Sequence, residues 1–358
     1  MAKFRKIGIL TSGGDAPGMN AAIRAVARKA LDEGVEVVGI LGGYSGLIKD
    51  NIVVFNRRTV SNIISRGGTV LYSDRCPEFK TEEGMQKAIE TCKRHNIDAI
   101  VAMGGDGTFR GATDLTNHGI PTIGIPCTID NDITATDYTI GFDSAMNTTM
   151  SMIDCLRDTC ESHKRCNVVE VMGRDCGQIA LYTALASGAV AAVIPEVPFD
   201  EGEFIERMQE LLDAGKRSFL VIVSEGVRGA NGQKYGEQLS QKIESTLGIE
   251  SRFARFAHVV RGGSPTLRDR FTATQMGVRA VERLLQGKSN IVICDRAGKI
   301  TDLDINYALV ADRMYKNKLQ PGDLDLFGAD QIADMKALAA RRRADIDTVY
   351  GMVAETSK

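Results

Sequence analysis

The chain has 358 residues, of which 43% are hydrophobic and 25% charged, with a formal net charge of −2. This length exceeds one ordinary core and predicts two globular domains. The balanced charge leaves no basic footprint for a nucleic-acid or membrane-surface binder. No stretch approaches the ~20 apolar residues of a spanning helix. The start, MAKFRKIGILTSGG, carries only a short apolar run, with no cleavage site after it. Eight cysteines show no CxxC and no paired spacing with histidine. A cytoplasmic chain with free thiols, neither disulfide-linked nor zinc-bound, is therefore expected.

In chain order, Ile7–Leu10 reads as a short buried strand. It runs into the glycine-rich turn Thr11-Ser12-Gly13-Gly14-Asp15-Ala16-Pro17-Gly18. Asn20–Glu33 follows as a helix that Gly34 stops, and Val35–Leu41 as a second strand. The turn stands before a helix N-terminus, where backbone N–H groups and the helix dipole favour an anion. It is not GxGxxG, which argues against a nicotinamide cofactor. Thr81–His95 predicts a helix. The segment 97–132 then gives a strand ending in Gly104-Gly105-Asp106-Gly107-Thr108, a helix over 108–117, and a strand ending in Pro126-Cys127-Thr128-Ile129-Asp130-Asn131-Asp132. Ligands of open parallel sheets bind at such carboxyl ends.

Further on, helices are expected at Phe142–Thr159, Gly177–Ala186, Glu201–Ala214 and about Thr272–Gln286. Strands are expected at Asn167–Met172, Val190–Ile194, Ser218–Ser224, Phe256–Val260 and Ile291–Cys294. An amphipathic helix is expected at Ala329–Val349. The alternation predicts two three-layer α/β/α, Rossmann-like domains with mainly parallel sheets.

The chemistry-bearing residues sit in the turns. Asp106 lies between glycines that let a polyphosphate approach the backbone, and it is placed to hold Mg²⁺ directly or through water. A tight turn with a solvated carboxylate reads equally well. If 128–132 is extended, Thr128 and Asp130 share a face. A carboxylate beside a substrate hydroxyl and a transferring phosphoryl group suits a general base; a helix cap or Asx turn is the competing use. Arg75, Arg165, Arg174, Arg252 and Arg261, with His258, fall in loops or near strand ends, where a guanidinium fork suits phosphate. Glu225 closes a strand, where a carboxylate can bind sugar hydroxyls or simply face solvent. A Walker-type P-loop is absent, because Gly287-Lys288-Ser289 lacks the earlier glycine and has Glu282 there.

Five motifs in order resemble the 6-phosphofructokinase family, in its bacterial, ATP-dependent form. They are Leu10–Asn20, Gly104-Gly105-Asp106-Gly107, Thr128–Asp132, Val171-Met172-Gly173-Arg174 and Arg261-Gly262-Gly263-Ser264-Pro265. The resemblance implies transfer of the ATP γ-phosphoryl group to the 1-hydroxyl of fructose 6-phosphate. It implies Asp130 as base, with Thr128, Arg174 and Gly14 at the transfer site and Asp106 associated with Mg²⁺. It places Gly14, Arg75, Cys76, Gly105, Asp106, Gly107 and Thr108 at the nucleotide. Thr128, Ile129, Asp130, Met172, Gly173, Arg174, Glu225, His258 and Arg261 fall to the sugar phosphate. Arg165 and Arg252 match arginines that reach the 6-phosphate from a neighbouring subunit, commonly in a homotetramer. The implied domains are 1–140 with about 259–310, binding nucleotide, and 141–258 with about 311–358, binding sugar phosphate.

Within the family, Gly107 leaves room for a nucleotide where pyrophosphate users often carry Asp. Cys127 is neither their Lys nor the Gly of many ATP users, and it lacks the cation. A pyrophosphate-dependent phosphotransferase and a catalytically silent subunit are the competing readings; intact Asp106, Thr128, Asp130 and Arg174 oppose the second. Arg24 and Arg28 share a helix face. With Arg57, Arg157, Lys216 and Arg217 they resemble the family's effector site; a solvated basic face is the alternative. Val190 and Ala214 replace an acid and a lysine there, so weakened ADP activation is expected.

Overall fold

The computed structural model describes residues 4–229 and 232–357. The chain runs β1 (Lys6–Thr11), α1 (Met19–Asp32), β2 (Glu36–Ile40), α2 (Gly43–Ile48), β3 (Ile52–Phe55), α3 (Glu82–Arg94), β4 (Ala99–Gly104), α4 (Asp106–Asn117) and β5 (Thr122–Pro126). It continues through α5 (Phe142–His163), β6 (Cys166–Val171), α6 (Gln178–Ser187), β7 (Ala191–Val193), α7 (Glu201–Asp213), β8 (Phe219–Ser224), α8 (Tyr235–Leu247) and β9 (Ser251–Arg255). It ends with α9 (Leu267–Leu285), β10 (Ile291–Arg296), β11 (Lys299–Asp304), α10 (Ile305–Tyr315) and α11 (Ala329–Thr356). Two compact units result: Met1–Ser144 with Arg261–Ala340, and Ala145–Val260 with Arg341–Lys358.

The first unit is built on a seven-stranded sheet in the order β11-β10-β5-β4-β1-β2-β3. Its inner pairs are parallel, and β3 and β11 are antiparallel edges. Every residue of β4 and β5 is buried. That explains their continuous apolar sequences: strands covered by helices on both faces have no polar side. Leu10, Ile40, Ile100 and Ala102 of the sheet share a core with Leu47, Ile89, Phe109 and Leu309 of the helices.

The second unit carries a four-stranded, wholly parallel sheet in the order β7-β8-β6-β9. Val168, Val193, Val221 and Val223 pack there against Phe204, Met208, Leu239 and Ile243. The α/β class and the mainly parallel sheets agree with the sequence reading.

Two expectations need correction. Phe256–Val260 is not a strand: the edge strand is Ser251–Arg255, and Ala257–Arg261 forms a 3₁₀ turn entered with Ala257 at φ 46°. Residues 311–340, expected with the smaller domain, lie in the first unit. The reason is apolar: Tyr307, Val310 and Ala311 of α10 bury themselves against Met335 and Leu338 of α11. No helix among the described residues is long and apolar enough to cross a membrane.

Candidate active site

The strand order of the first unit reverses between β1 and β4, because β2 lies on one side of β1 and β4 on the other. Such a reversal opens a crevice at the carboxyl ends of the strands. Three turns end there, after β1, β4 and β5. Ser12 N donates to Met103 O and Cys127 N to Gly104 O, each at 3.0 Å, so the ladder continues into the turns and fixes their register. Thr108 Oγ1 donates to Ser12 O at 3.0 Å, and Tyr44 OH to Thr108 O at 2.6 Å.

The glycines of the second turn serve different masters. A Cβ at Gly104 would stand 2.2 Å from Thr108 Oγ1 and 2.4 Å from Ser12 O, so the fold itself forbids a side chain. At Gly105 and Gly107 a Cβ would meet nothing within 4 Å. The fold does not require glycine at those two positions, and the space beside them is open. Helices α1 and α4 begin at Gly18 and Gly105 without a side-chain cap, as do α2, α6 and α8, whereas Thr81, Asp200, Thr266 and Asp304 cap α3, α7, α9 and α10. The first N–H groups of α1 and α4 thus lack the partner that a capping side chain supplies.

Asp106 opens α4 and pairs with Arg110 one turn on. Arg75 is exposed and Cys76 half-buried, at the start of the 3₁₀ turn Pro77–Lys80. Thr128, Ile129 and Asp130 are all buried, Asp130 to 2% exposure. They form a turn, the competing use, and not an extended stretch. The strand stops at Pro126, Asp130 N donates to Thr128 Oγ1 at 3.2 Å, and Asn131 takes φ 48°. The turn is held from behind: Thr139 Oγ1 donates to Thr128 O at 2.6 Å, and Thr139 N to Asn131 Oδ1 at 2.9 Å.

Arg261 ties the turns together. Its Nη1 donates to Asp15 O at 3.0 Å, its Nη2 lies 4.0 Å from Asp130 Oδ1, and a Cβ on Gly14 would come within 2.8 Å of its Nη1. Cys127 is buried, and burial pushes its thiol far up, so it presents no charge.

In the second unit, Glu225 at the end of β8 accepts from Arg174 N at 3.0 Å and Gly173 N at 3.3 Å beyond β6. This carboxylate sets the turn that displays the exposed Arg174 side chain; Met172 is buried beneath it. A Cβ at Gly173 would lie 2.3 Å from Cys176 O, so this turn also demands glycine. Arg165 Nε pairs with Glu250 at 2.6 Å, and Arg252 pairs with the same carboxylate. Arg165 holds Glu250 below its usual pKa. His258 is exposed.

Of the residues resembling an effector site, Arg24, Arg28 and Arg57 stand in the first unit, and Arg157, Lys216 and Arg217 in the second. Arg57 pairs with Asp32 at 3.0 Å, and Lys216 Nζ reaches Ser357 O at 3.5 Å. Val190 is buried, its carbonyl accepting from Arg207.

Sequence reasoning missed Asp269, Asp312 and Lys316. Asp269 is fully buried and accepts from Tyr138 OH, from Gly141 N at 2.7 Å and from Ser144 N at 2.9 Å. It pins segment 138–144, and burial pushes its carboxyl above the usual range. The available signal was a decoy, since Thr266-x-x-Asp269 reads as an ordinary helix start, which it also is.

Comparison with known proteins adds an independent finding. A family model described as "Phosphofructokinase" matches residues 6–284. An ATP-dependent 6-phosphofructokinase 1 of Clostridium perfringens is 49% identical over 88% of this chain and 97% of its own length. An ATP-dependent 6-phosphofructokinase of Clostridium botulinum is 47% identical over 92% and 99%. The phosphofructokinase structure from Saccharomyces cerevisiae superimposes with a TM-score of 0.81 at 30% identity, over 93% of this chain; the chain spans 50% of the yeast chain. A pyrophosphate-dependent phosphofructokinase from Marinobacter aquaeolei gives a TM-score of 0.74 at 23% identity, covers 84% of this chain, and shares the fold.

Proposed function

The chain belongs to the phosphofructokinase family and phosphorylates fructose 6-phosphate from ATP, and we propose that the three turns of its first unit hold the transfer chemistry, with Asp130 as general base. The 1-hydroxyl oxygen bonds to the γ-phosphorus, the bond from that phosphorus to the ADP oxygen breaks, and Asp130 takes the hydroxyl proton. Such a reaction needs position and charge neutralisation more than covalent catalysis. Thr128 lines the transfer site. Gly14 lets Arg261 lie close to the first turn, and Arg261 and Arg174 supply positive charge for phosphate oxygens. Gly105–Thr108, with Arg75 and Cys76, takes the nucleotide.

The observation that carries the donor assignment is the open space beside Gly105 and Gly107, which the fold leaves without needing it. Asp106 at this mouth fits Mg²⁺. Among the described residues no group of three or more acidic, His or Cys side chains forms a cage, and Mg²⁺ characteristically uses one or two carboxylates plus substrate phosphates. When bound, it would neutralise phosphate charge. Met172, Gly173, Arg174, Glu225, His258 and Arg261 bind the sugar phosphate in this reading. Arg165 and Arg252 of a neighbouring copy complete the site in a homotetramer. Arg24, Arg28, Arg57, Arg157, Lys216 and Arg217 take phosphate-type effectors, with ADP activation weakened by Val190 and Ala214.

The test is phosphorylation of fructose 6-phosphate with ATP and with pyrophosphate, in the native chain and in Gly107→Asp. Activity with ATP alone is expected in the native chain. The variant should keep its thermal stability, because its side chain enters open space. It should lose about a hundredfold in ATP turnover, since like charge set against phosphate costs several kcal/mol. Undiminished ATP turnover in Gly107→Asp, or native activity with pyrophosphate, would overturn the donor assignment.

A further inference from the structure

Helix α10 lies beyond the span matched by the family model, which ends at residue 284, yet its last turn grips the segment that follows Asp130. The buried face of α10 is apolar at Ile305, Ala308 and Leu309, and it carries one buried acid, Asp312. Asp312 is 6% exposed, and its Oδ1 accepts from Thr134 Oγ1 at 2.9 Å. Its Oδ2 takes a hydrogen bond from Lys316 Nζ at 2.7 Å. The same ammonium donates to Asp132 O at 3.1 Å and stands 3.5 Å from Asp132 Oδ2. Three attachments thus hold residues 132–134, immediately after the candidate base. Burial would lower the pKa of the ammonium, but Asp132, Asp312 and, behind them, Asp106 push it up, so it stays charged.

A largely buried ion pair is a poor way to add stability, because desolvation consumes most of the Coulombic gain. It is an effective way to fix geometry, because only one arrangement satisfies every donor and acceptor. All the groups involved lie within one compact unit. The bond from Thr134 to Asp312 would by itself staple α10 to this segment. The additional grip on both the carbonyl and the carboxylate of Asp132 acts on the turn itself.

We propose that Lys316 is a positioning residue for phosphoryl transfer: through Asp132 directly, and through Asp312 and Thr134, it holds the turn that presents Asp130 to the substrate hydroxyl. The proposal rests on Asp130 being the base, so its test must separate the two. A misplacement of about 1 Å at a reacting group costs on the order of a hundredfold in rate. Lys316→Met should therefore lower kcat by about ten- to a hundredfold, with the KM values for ATP and fructose 6-phosphate changed by less than about threefold. Lys316→Arg, which keeps charge and donors, should recover most of the loss. Backbone amides of residues 130–136 should exchange faster in Lys316→Met than in the native chain, while those of β4 do not.

The double variant Asp130→Ser/Lys316→Met should be no slower than Asp130→Ser alone, because a turn without its base has nothing left to position. If Lys316→Met leaves the buried Asp312 without its counter-charge and the chain does not fold, Asp312→Asn/Lys316→Met removes both charges and carries the same measurements. A near-native kcat for Asp130→Ser would discard the base. A slow Asp130→Ser in which Lys316→Met costs its full factor again would discard the positioning role and leave the base standing. Unchanged kcat and unchanged amide exchange in folded Lys316→Met would also end it.

Discussion

The turns of the first unit and those of the second answer the same demand in opposite ways. Around β1, β4 and β5 the proposed base is buried and its backbone is bonded on several sides: Asp130 is 2% exposed, and Thr139 ties the residues on either side of it. At β6 and β8 only the backbone is fixed. Glu225 accepts from Gly173 and Arg174, and the Arg174 side chain stands in solvent. A base must be placed to within a fraction of an ångström, which burial and a closed hydrogen-bond network can do. A phosphate-recognising guanidinium gains more by staying hydrated until its anion arrives, because a charge buried without a partner is costly.

Substitutions can break that contrast from either side. The largest effect is expected at Asp130. Asp130→Ser would remove the proposed general base and should lower kcat by about 10²–10⁴-fold, with smaller changes in the substrate half-saturation values. Steady-state kinetics decide it, and a kcat within a few-fold of native would place the base elsewhere. Next comes Asp269, the acid that supports the buried side without touching its chemistry. Asn in its place turns an acceptor into an amide donor facing N–H and O–H donors. A loss of about 3 kcal/mol is expected from misplacing hydrogen bonds to a buried charged group. It would be read as a lower urea midpoint at unchanged slope. An unchanged midpoint would mean that segment 138–144 is held by packing alone.

The same contrast explains what could be read in the sequence. The buried strands announced themselves, since a strand covered on both faces can only be apolar, and the glycine turns stood out against those runs. Their carboxyl-end positions were therefore legible at Asp106, Asp130, Arg174 and Glu225 before any coordinates. Edge strands β3 and β11 were not, being short or half-polar, with most of their residues only half-buried. The false strand at 256–260 arose because four apolar residues in five say nothing of the backbone, and Ala257 adopts a left-handed conformation there. Lys316 and Asp312 were invisible for a subtler reason. At i and i+4 on a helix they look like a solvent-facing ion pair, and only the fold shows that the acid points inward.

The smallest effect tests the exposed side. Glu250 holds Arg165 and Arg252 in one cluster. Its folded-state pKa lies below the ordinary 4.5 because Arg165 stabilises the carboxylate. A depressed acid contributes stability above its unfolded pKa and loses it as pH falls through the folded value. Glu250→Gln should therefore lower the urea midpoint slightly at pH 7. The difference should shrink as pH drops below about 4.5, and it should shrink in molar salt, since an exposed pair is screened. If Arg165 and Arg252 serve the sugar phosphate, the same substitution acts on binding with the opposite sign. The incoming phosphate no longer competes with a carboxylate for the two guanidinium groups, and the half-saturation for fructose 6-phosphate should fall by about two- to fivefold, the range an exposed ion pair commands. A variant both less stable and weaker for substrate would show instead that Glu250 orients the arginines for their anion rather than restraining them.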